Sequence, residues 1–288
     1  MISIVIPALN EGTVVSETVR SVLAVLERVG SQGAEVIIVD DGSTDNTAEE
    51  AANAGARVIR HPHNVGYGRS LKDGIEAASH DTIVISDADG TYPIEAIPDL
   101  IAEYRKGFDM VVGARQGKNY DESTIKKCLR LILQALVQYT SGRKIPDINS
   151  GLRVFSKSTV LPYFSRLCDT FSFTTSLTLA YMMTGKFVRY IPISYHKRVG
   201  ETKVRLFRDA LRTMQFIVEA IIFYNPLKIF ILFSMFLILL SLAGFLLSAF
   251  FPILVGYILG ISSFLLAILI FGIGLIAVLL KQIMLKEN

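Results

Sequence analysis

Thr82-Ile83-Val84-Ile85-Ser86-Asp87-Ala88-Asp89-Gly90-Thr91-Tyr92-Pro93 reads as a buried strand that runs into an acidic loop. The run Thr82–Ile85 is short, apolar and β-branched, as a strand covered on both faces requires. It ends in two carboxylates separated by one residue and followed by glycine. Side chains alternate along a strand, so Asp87 and Asp89 are expected to point the same way where the strand opens into the loop. Two acidic oxygen donors at that spacing suit Mg²⁺ or Mn²⁺, ions that also carry substrate phosphates. In open α/β sheets ligands bind outside the carboxyl ends of strands. A surface turn whose carboxylates merely cap the next helix is the plainer alternative, and the rest of the chain decides against it.

Working outward, strands and helices alternate on both sides of this stretch. Ile2–Ile6, Glu35–Val39, Arg57–Arg60 and Asp109–Gly113 read as strands. Helices are expected over Val14–Val29, from near Asn46, from the Asn64–Gly68 loop through Ala78, and from Pro93 to about Lys106. That rhythm predicts an α/β fold with a mainly parallel, Rossmann-like sheet and helices on both faces. Beyond it come a helix over Ser123–Tyr139, a turn and strand over Asp147–Ser156, a helix around Ser176–Thr184, and short strands at Phe187–Ile191 and Ser194–His196.

The totals hide two unlike parts. Of 288 residues 51% are hydrophobic, and the mean hydropathy is +0.45. Up to about Tyr224 the composition is that of a soluble domain. Beyond it stand two uncharged apolar runs, Ile229–Phe251 and Ile253–Leu280, each longer than the roughly 20 residues that span a bilayer as a helix. Pro252 alone interrupts them, so a tight hairpin is expected. Its flanks carry Lys228, Lys281 and Lys286, which predicts ends and catalytic domain on the cytoplasmic side. Before the spans, Val204, Phe207, Leu211, Met214, Val218 and Ile221 recur every three or four residues among charged ones, the pattern of an interfacial amphipathic helix. Three regions are therefore expected: 1–202, 203–225 and 226–288. Gly256 and Gly260 make a GxxxG spacing able to seat a neighbouring helix, and a homo-oligomer is left open.

The formal net charge of +3 gives no sign of a nucleic-acid partner. Basic residues do cluster between Lys186 and Arg212, next to the first span, which points to anionic headgroups or a phosphate. Cys128 and Cys168 have no metal-ligand spacing and read as free thiols of a reducing compartment. The chain opens directly on a strand without a charged leader, so no secretory signal is expected.

Four loops fall at the carboxyl ends of expected strands: Pro7-Ala8-Leu9-Asn10-Glu11-Gly12, the Asp40-Asp41 segment, Asn64–Gly68, and the Asp87–Asp89 loop. A nucleotide needs an acceptor for its base or ribose, glycines that admit its backbone, and a metal for its diphosphate. Asp40, the pair Gly66 and Gly68, and the pair Asp87 and Asp89 can supply these in turn.

These phrases, SIVIPALNE, VIIVDDGSTDNT, HNVGYGRSL and ISDADGTYP, resemble family 2 glycosyltransferases with the GT-A fold over about residues 1–205. MVVGAR, DINSGLRVF, YHKRVGETKV and the two-span hairpin are similar to polyprenyl-phosphate glycosyltransferases, the subgroup that includes dolichyl-phosphate mannose synthases. The resemblance implies inverting transfer from a nucleotide-diphosphate sugar to a lipid phosphate. It implies a metal (Mg²⁺ or Mn²⁺) on Asp89 with Asp87 nearby, and a donor-nucleotide site at Pro7, Ala8, Asn10, Glu11, Asp40, Asn64, Gly66, Gly68, Asp87 and Ala88. Relatives often place a glutamine after the two aspartates; here Gly90 and Thr91 follow, so water or the Thr91 hydroxyl is expected to complete the metal shell.

A phosphate monoester is already largely dianionic at neutral pH, so such an acceptor removes the need for a general base. Relatives acting on hydroxyls carry an acidic pair where this chain reads Thr170-Phe171-Ser172-Phe173-Thr174-Thr175-Ser176; Asp169 is the nearest acid and is kept as the base for the alternative reading, transfer to a hydroxyl acceptor. Cations for the acceptor phosphate are expected at Arg115, Arg130, Arg153, Arg198 and Lys203, arginine being suited to bidentate contact. A processive polysaccharide synthase is disfavoured by two spans and the lack of tryptophan. Asp87-Ala88-Asp89-Gly90-Thr91 also spells the nucleophile loop of dehalogenase-type phosphatases, but that motif opens a chain and needs a late acidic partner. A non-enzymatic accessory protein has nothing in the sequence to favour it.

Overall fold

The computed structural model describes residues 1–28, 30, 33–117, 131, 134–135, 137–139, 141–196, 206–251 and 254–284. Its first half repeats one unit. β1 (Ile2–Ala8) leads to α1 (Val15–Arg28), β2 (Glu35–Asp40) to α2 (Thr47–Asn53), and β3 (Arg57–Arg60) to α3 (Tyr67–Ala77) before β4 (Thr82–Ile85). Then come a single 3₁₀ turn at Ile94–Ala96, α4 (Ile97–Tyr104), β5 (Met110–Gln116), β6 (Arg153–Ser156), α5 (Phe173–Met183) and β7 (Val188–Ser194). The seven strands lie in the order β3-β2-β1-β4-β6-β5-β7.

All pairings are parallel except those of β6, which runs against both β4 and β5. The sheet is thus the mixed, mainly parallel one expected. Every residue of β1, and all but the first of β2 and β4, is buried, which explains their near-continuous apolar runs. β1 is flanked by β2 and β4, so the chain's winding reverses between β1 and β4 and opens a crevice beyond their carboxyl ends. Because β6 is reversed, its first residue, Arg153, pairs with Ile85, the last of β4. The loop that enters β6 therefore reaches the same rim.

Several expectations need correction. Pro93 precedes the 3₁₀ turn, and α4 starts only at Ile97. The two short strands expected near 190 are one, β7, which tolerates Pro192 because it is an edge strand. The helix expected over Ser123–Tyr139 falls largely outside the described residues.

Contacts divide the chain into Met1–Ile217 and Val218–Asn288, whereas the sequence suggested boundaries at 202 and 225. The dividing point falls within α6 (Leu206–Tyr224), a continuous helix. In the second unit α7 (Pro226–Phe250) and α8 (Leu254–Met284) form the expected hairpin. Lys228 lies within the first turn of α7 instead of flanking it. Both helices are candidate membrane spans, with only 22% and 17% of their most apolar windows buried, the reverse of a soluble core pair.

Small residues line the seam of the hairpin. A Cβ on Gly244 would stand 2.8 Å from Gly260 N, and one on Gly256 2.9 Å from Gly244 O. Ser241 Oγ donates to Gly260 O at 2.7 Å and Ser234 Oγ to Ala267 O at 3.1 Å. The Gly256–Gly260 spacing thus seats α7 of the same chain, by the close approach that small residues permit. Lys281 Nζ donates to the carbonyl of Tyr224, so charge gathers at the open end of the hairpin.

Candidate active site

The loops at the carboxyl ends of β1 and β2 are laced together by the residues of VDDGSTDNT. Asn10 N donates to Ser43 Oγ at 2.8 Å, Glu11 N to Thr47 Oγ1 at 2.9 Å, and Gly12 N to Asp45 Oδ2 at 3.1 Å. In return Thr44 N donates to Asn10 Oδ1 at 2.9 Å, which holds Asn10 at a φ of +50°. Asn tolerates this left-handed conformation better than most residues. Asp41 then joins β2 to the next loop, accepting from Val65 N and Gly66 N at 2.9 and 3.0 Å and facing His61 Nδ1 at 3.0 Å.

The expected donor-site residues divide by exposure. Asn10 and Asn64 are exposed and Glu11 half-exposed, whereas Pro7, Ala8 and Ala88 are buried backbone of the rim. Asp40, expected to accept from base or ribose, is fully enclosed. Its Oδ1 accepts from Ser43 N at 3.0 Å, and its Oδ2 lies 3.3 Å from Arg60 Nε. Asp40 thus closes the loop that follows β2 through Oδ1, while its Oδ2 makes no hydrogen bond.

Gly66 and Gly68 are also assigned a different neighbour. A Cβ on Gly66, whose φ is +114°, would meet Asp169 O at 2.5 Å, and one on Gly68 would meet Cys168 O at 2.2 Å. The backbone they admit is therefore the chain's own Cys168–Thr170 segment. Lys72 fastens that segment, with Nζ donating to Leu167 O and Asp169 Oδ1, both at 2.6 Å. Arg69 N adds a bond to Asp169 O at 3.0 Å. Asp169 is thus ion-paired to Lys72.

β4 ends at Ile85, so Asp87 and Asp89 lie in the loop and strand alternation does not orient them. Asp89 is shaped by an Asx-type turn: its Oδ1 accepts from Thr91 N at 3.1 Å and Thr91 Oγ1 at 2.6 Å. Gly90 supplies the positive φ, +70°, that the turn requires. Thr91, expected among the metal ligands, is fully buried and donates its hydroxyl to Asp89. Asp87 Oδ1 accepts from Tyr67 Oη at 2.8 Å. On its other side lies Gly151, where a Cβ would stand 3.0 Å from both carboxylate oxygens.

Among the described residues no group of three or more His, Cys, Asp and Glu side chains is arranged to hold a metal ion. The residues that could hold a metal are then Asp87 and Asp89. Their donors are anionic oxygens, the chemistry that Mg²⁺ and Mn²⁺ select, and a bound diphosphate and water would fill the remaining positions. The donor set fits.

The cations are distributed differently from the sequence reading. Arg115 is locked onto Asp147, with Nε 2.7 Å from Oδ2 and Nη2 2.9 Å from Oδ1, and its guanidinium lies 5.4 Å from the Tyr195 ring centre. Burial would raise the Asp147 pKa, but the hydrogen bonds and charge of Arg115 outweigh it and hold the carboxyl below the ordinary range. Arg153 is fully buried and donates to Ser150 O, Ile148 O and Thr178 Oγ1 at 2.7, 2.9 and 2.7 Å. This corrects its assignment to the acceptor phosphate, because no face of it meets a ligand. Arg130, Arg198 and Lys203 lie outside the described residues.

Sequence reasoning missed Tyr67, Tyr92, Asp147 and Gly151. Tyr92 Oη accepts from Gly151 N at 2.6 Å, and its ring packs edge-on to Tyr195 with centroids 5.4 Å apart. Each missed residue lies inside a phrase the sequence reading quoted. No signal in one sequence shows that Gly151 and Asp87, 64 positions apart, touch.

Comparison with known proteins places this arrangement. A dolichyl-phosphate hexose transferase of Haloferax volcanii is 30% identical over 189 residues, 65% of this chain and 81% of that protein. An undecaprenyl-phosphate 4-deoxy-4-formamido-L-arabinose transferase of Salmonella paratyphi A is 28% identical over 214 residues, or 72% of this chain; the chain spans 63% of that relative's length. Glucosyl-3-phosphoglycerate synthase from Mycobacterium tuberculosis, in complex with Mn²⁺, UDP and glucosyl-3-phosphoglycerate, aligns with a TM-score of 0.60. Its identity is 20%, over 76% of this chain and 79% of that one, a likeness of fold. The model of the glycosyl transferase family 2 domain matches residues 3–163, and with the parallel sheet, the reversed β6 and the Asp87–Asp89 loop on its rim, this chain belongs to that family.

Proposed function

We propose that this chain transfers a hexose, with inversion, from a nucleotide-diphosphate sugar to a polyprenyl phosphate at the cytoplasmic face of a membrane. UDP-hexose is the favoured donor and GDP-mannose the alternative. The observation that carries this reading is the Asp87–Asp89 loop, set beyond β4 beside the crevice where the winding reverses. The substrates named for the two polyprenyl-phosphate relatives support the acceptor class. The two candidate spans, with Lys228 and Lys281 towards one end of the hairpin, support a membrane location and a cytoplasmic active site.

In this reading Asn10, Glu11 and Asn64 meet the nucleotide, and Asp87 and Asp89 face its diphosphate. Mg²⁺ or Mn²⁺, held by those carboxylates, supplies Lewis-acid stabilisation of the charge that builds on the leaving diphosphate. An oxygen of the lipid phosphate attacks the anomeric carbon from the opposite face, and the carbon–oxygen bond to the diphosphate breaks with its electron pair. The attacking oxygen already carries its charge, so no side chain must remove a proton. The Lys72–Asp169 pair agrees with this, since Asp169 is engaged in holding the Cys168–Thr170 segment. Arg115 organises the Asp147–Gly151 loop, which leaves Arg130, Arg198 and Lys203 as the cations for the acceptor phosphate.

The test is transfer from radiolabelled UDP- and GDP-sugars to polyprenyl phosphate with Mg²⁺ or Mn²⁺, comparing wild type with Asp89→Ala. Labelled lipid from one donor, metal-dependent and lost in the variant, is the expected result. Label on a soluble hydroxyl acceptor alone would make the lipid-phosphate assignment wrong.

A further inference from the structure

Asp87 sits between two residues from distant parts of the chain, and both restrict its carboxylate. Gly151, arriving with the loop that enters β6, lies against both oxygens; a Cβ there would stand 3.0 Å from each. Tyr67, the first residue of α3, donates its hydroxyl to Oδ1 at 2.8 Å. The Tyr67 ring is itself fixed, stacked on Phe171 with centroids 5.6 Å apart and planes 21° from parallel. Its backbone is pinned from both sides, since Gly66 N donates to Asp41 and Arg69 N to Asp169 O. A hydrogen bond from so constrained a phenol fixes an angle as well as a distance.

The chemistry of the donor matters too. A phenol carries no charge at neutral pH, its ordinary pKa being about 10, and here it donates to Asp87 Oδ1. A lysine or arginine in its place would orient the carboxylate and also offset its charge. A phenol orients it and leaves the charge to attract a cation. The Thr91 hydroxyl is in a comparable relation to Asp89, so each of the two carboxylates accepts from a neutral hydroxyl. Tyr67 is the more informative of the two because its ring rests on Phe171, which is 44% exposed at the edge of the Cys168–Phe173 segment.

We propose that Tyr67 is a positioning residue for Asp87, holding that carboxylate in the rotamer that receives a divalent cation with a nucleoside diphosphate, and that the Phe171 stack keeps Tyr67 in place. The inference rests on the reading above that Asp87 faces the donor diphosphate. Loss of a hydrogen bond to a charged group corresponds to roughly a tenfold or larger weakening.

The experiment is calorimetric titration of the full-length protein in detergent with UDP in the presence of Mn²⁺, on wild type, Tyr67→Phe, Asp87→Asn and the double variant. Low-temperature EPR of the bound Mn²⁺ accompanies it. The expected result is that Tyr67→Phe binds roughly tenfold more weakly and alters the Mn²⁺ spectrum, while its unfolding midpoint without metal stays close to wild type. The double variant should be no worse than Asp87→Asn, because the hydroxyl acts only through that carboxylate. If Asp87→Asn loses binding while Tyr67→Phe binds as wild type with an unchanged spectrum, the positioning role is refuted and the donor site stands. If wild type and Asp87→Asn bind Mn²⁺ and UDP equally, the reading of the donor site fails and this inference fails with it. Should Tyr67→Phe not unfold cooperatively, Phe171→Leu carries the test: it keeps the hydroxyl but removes the ring beneath it, and unchanged affinity there overturns the proposal.

Discussion

Arg153 offers a direct way to separate a ligand-binding cation from a structural one. The perturbation is Arg153→Lys, which keeps the charge and most of the volume. The guanidinium now serves three acceptors in three directions, Ser150 O, Ile148 O and Thr178 Oγ1, from Nε, Nη2 and Nη1. A lysine ammonium is a single point and satisfies one of these while leaving two buried acceptors without a donor. At about 1–3 kcal/mol each, the cost is about 4 kcal/mol. For a unit the size of Met1–Ile217, at roughly 2–4 °C per kcal/mol, the unfolding midpoint should fall by about 8–16 °C. The assay is thermal unfolding of the detergent-solubilised protein, followed by fluorescence, with transfer activity measured at a temperature where both forms are folded. The expected outcome is a large loss of stability with activity per folded molecule retained. A stable Arg153→Lys protein whose KM for lipid phosphate has risen would refute the reasoning and return Arg153 to the acceptor site.

Two further outcomes follow from other contacts. The Asp147 carboxyl is held below its ordinary value by Arg115, so its stabilisation is complete above the unfolded value near 3.8 and is lost as pH falls through the lower folded value. Asp147→Asn should therefore cost about 3–5 kcal/mol at pH 7, and the gap to wild type should hold down to the unfolded value near 3.8 and narrow only below it; a gap already closing above that value contradicts the assignment. Gly68→Ala should destabilise by about 3 kcal/mol, because its methyl would stand 2.2 Å from the Cys168 carbonyl and 2.8 Å from Asp169 C, both main-chain atoms. Denaturant unfolding reads the cost, and faster proteolysis near Asp169 locates it.

What could be read from the chain divides along physical lines. Buried parallel strands announce themselves through continuous apolar runs, so Ile2–Ala8 and Thr82–Ile85 were visible, and the rim loops followed from topology. The reversal of β6 was not visible, because the periodicity of four residues is the same in either direction. Asp87 and Asp89 were found by type and spacing, but they lie past the end of β4, where strand alternation does not orient them. A turn closed by Thr91 and Gly90 shapes Asp89, and the Tyr67 hydroxyl holds Asp87. Gly66 and Gly68 show the limit most plainly. Two glycines in a loop signal close approach of some backbone, and only the fold reveals that it belongs to Cys168 and Asp169. Arg153 failed for a related reason, since its place in a recognisable phrase marks importance without separating a phosphate ligand from a buried brace.

The reversed β6 carries a consequence for how such a chain can diversify. Because β5 ends at Gln116 and the loop into β6 resumes at Asp147 on the same rim, the intervening stretch departs and rejoins at one doorway, latched by Arg115 and Asp147. Its length is decoupled from the sheet: doubling such a connection adds only about 0.6 kcal/mol of closure cost. A lineage can therefore lengthen or shorten the stretch between Gln116 and Asp147 at little cost to the sheet, provided the positions of Val137 and Ile145, both fully buried, stay apolar.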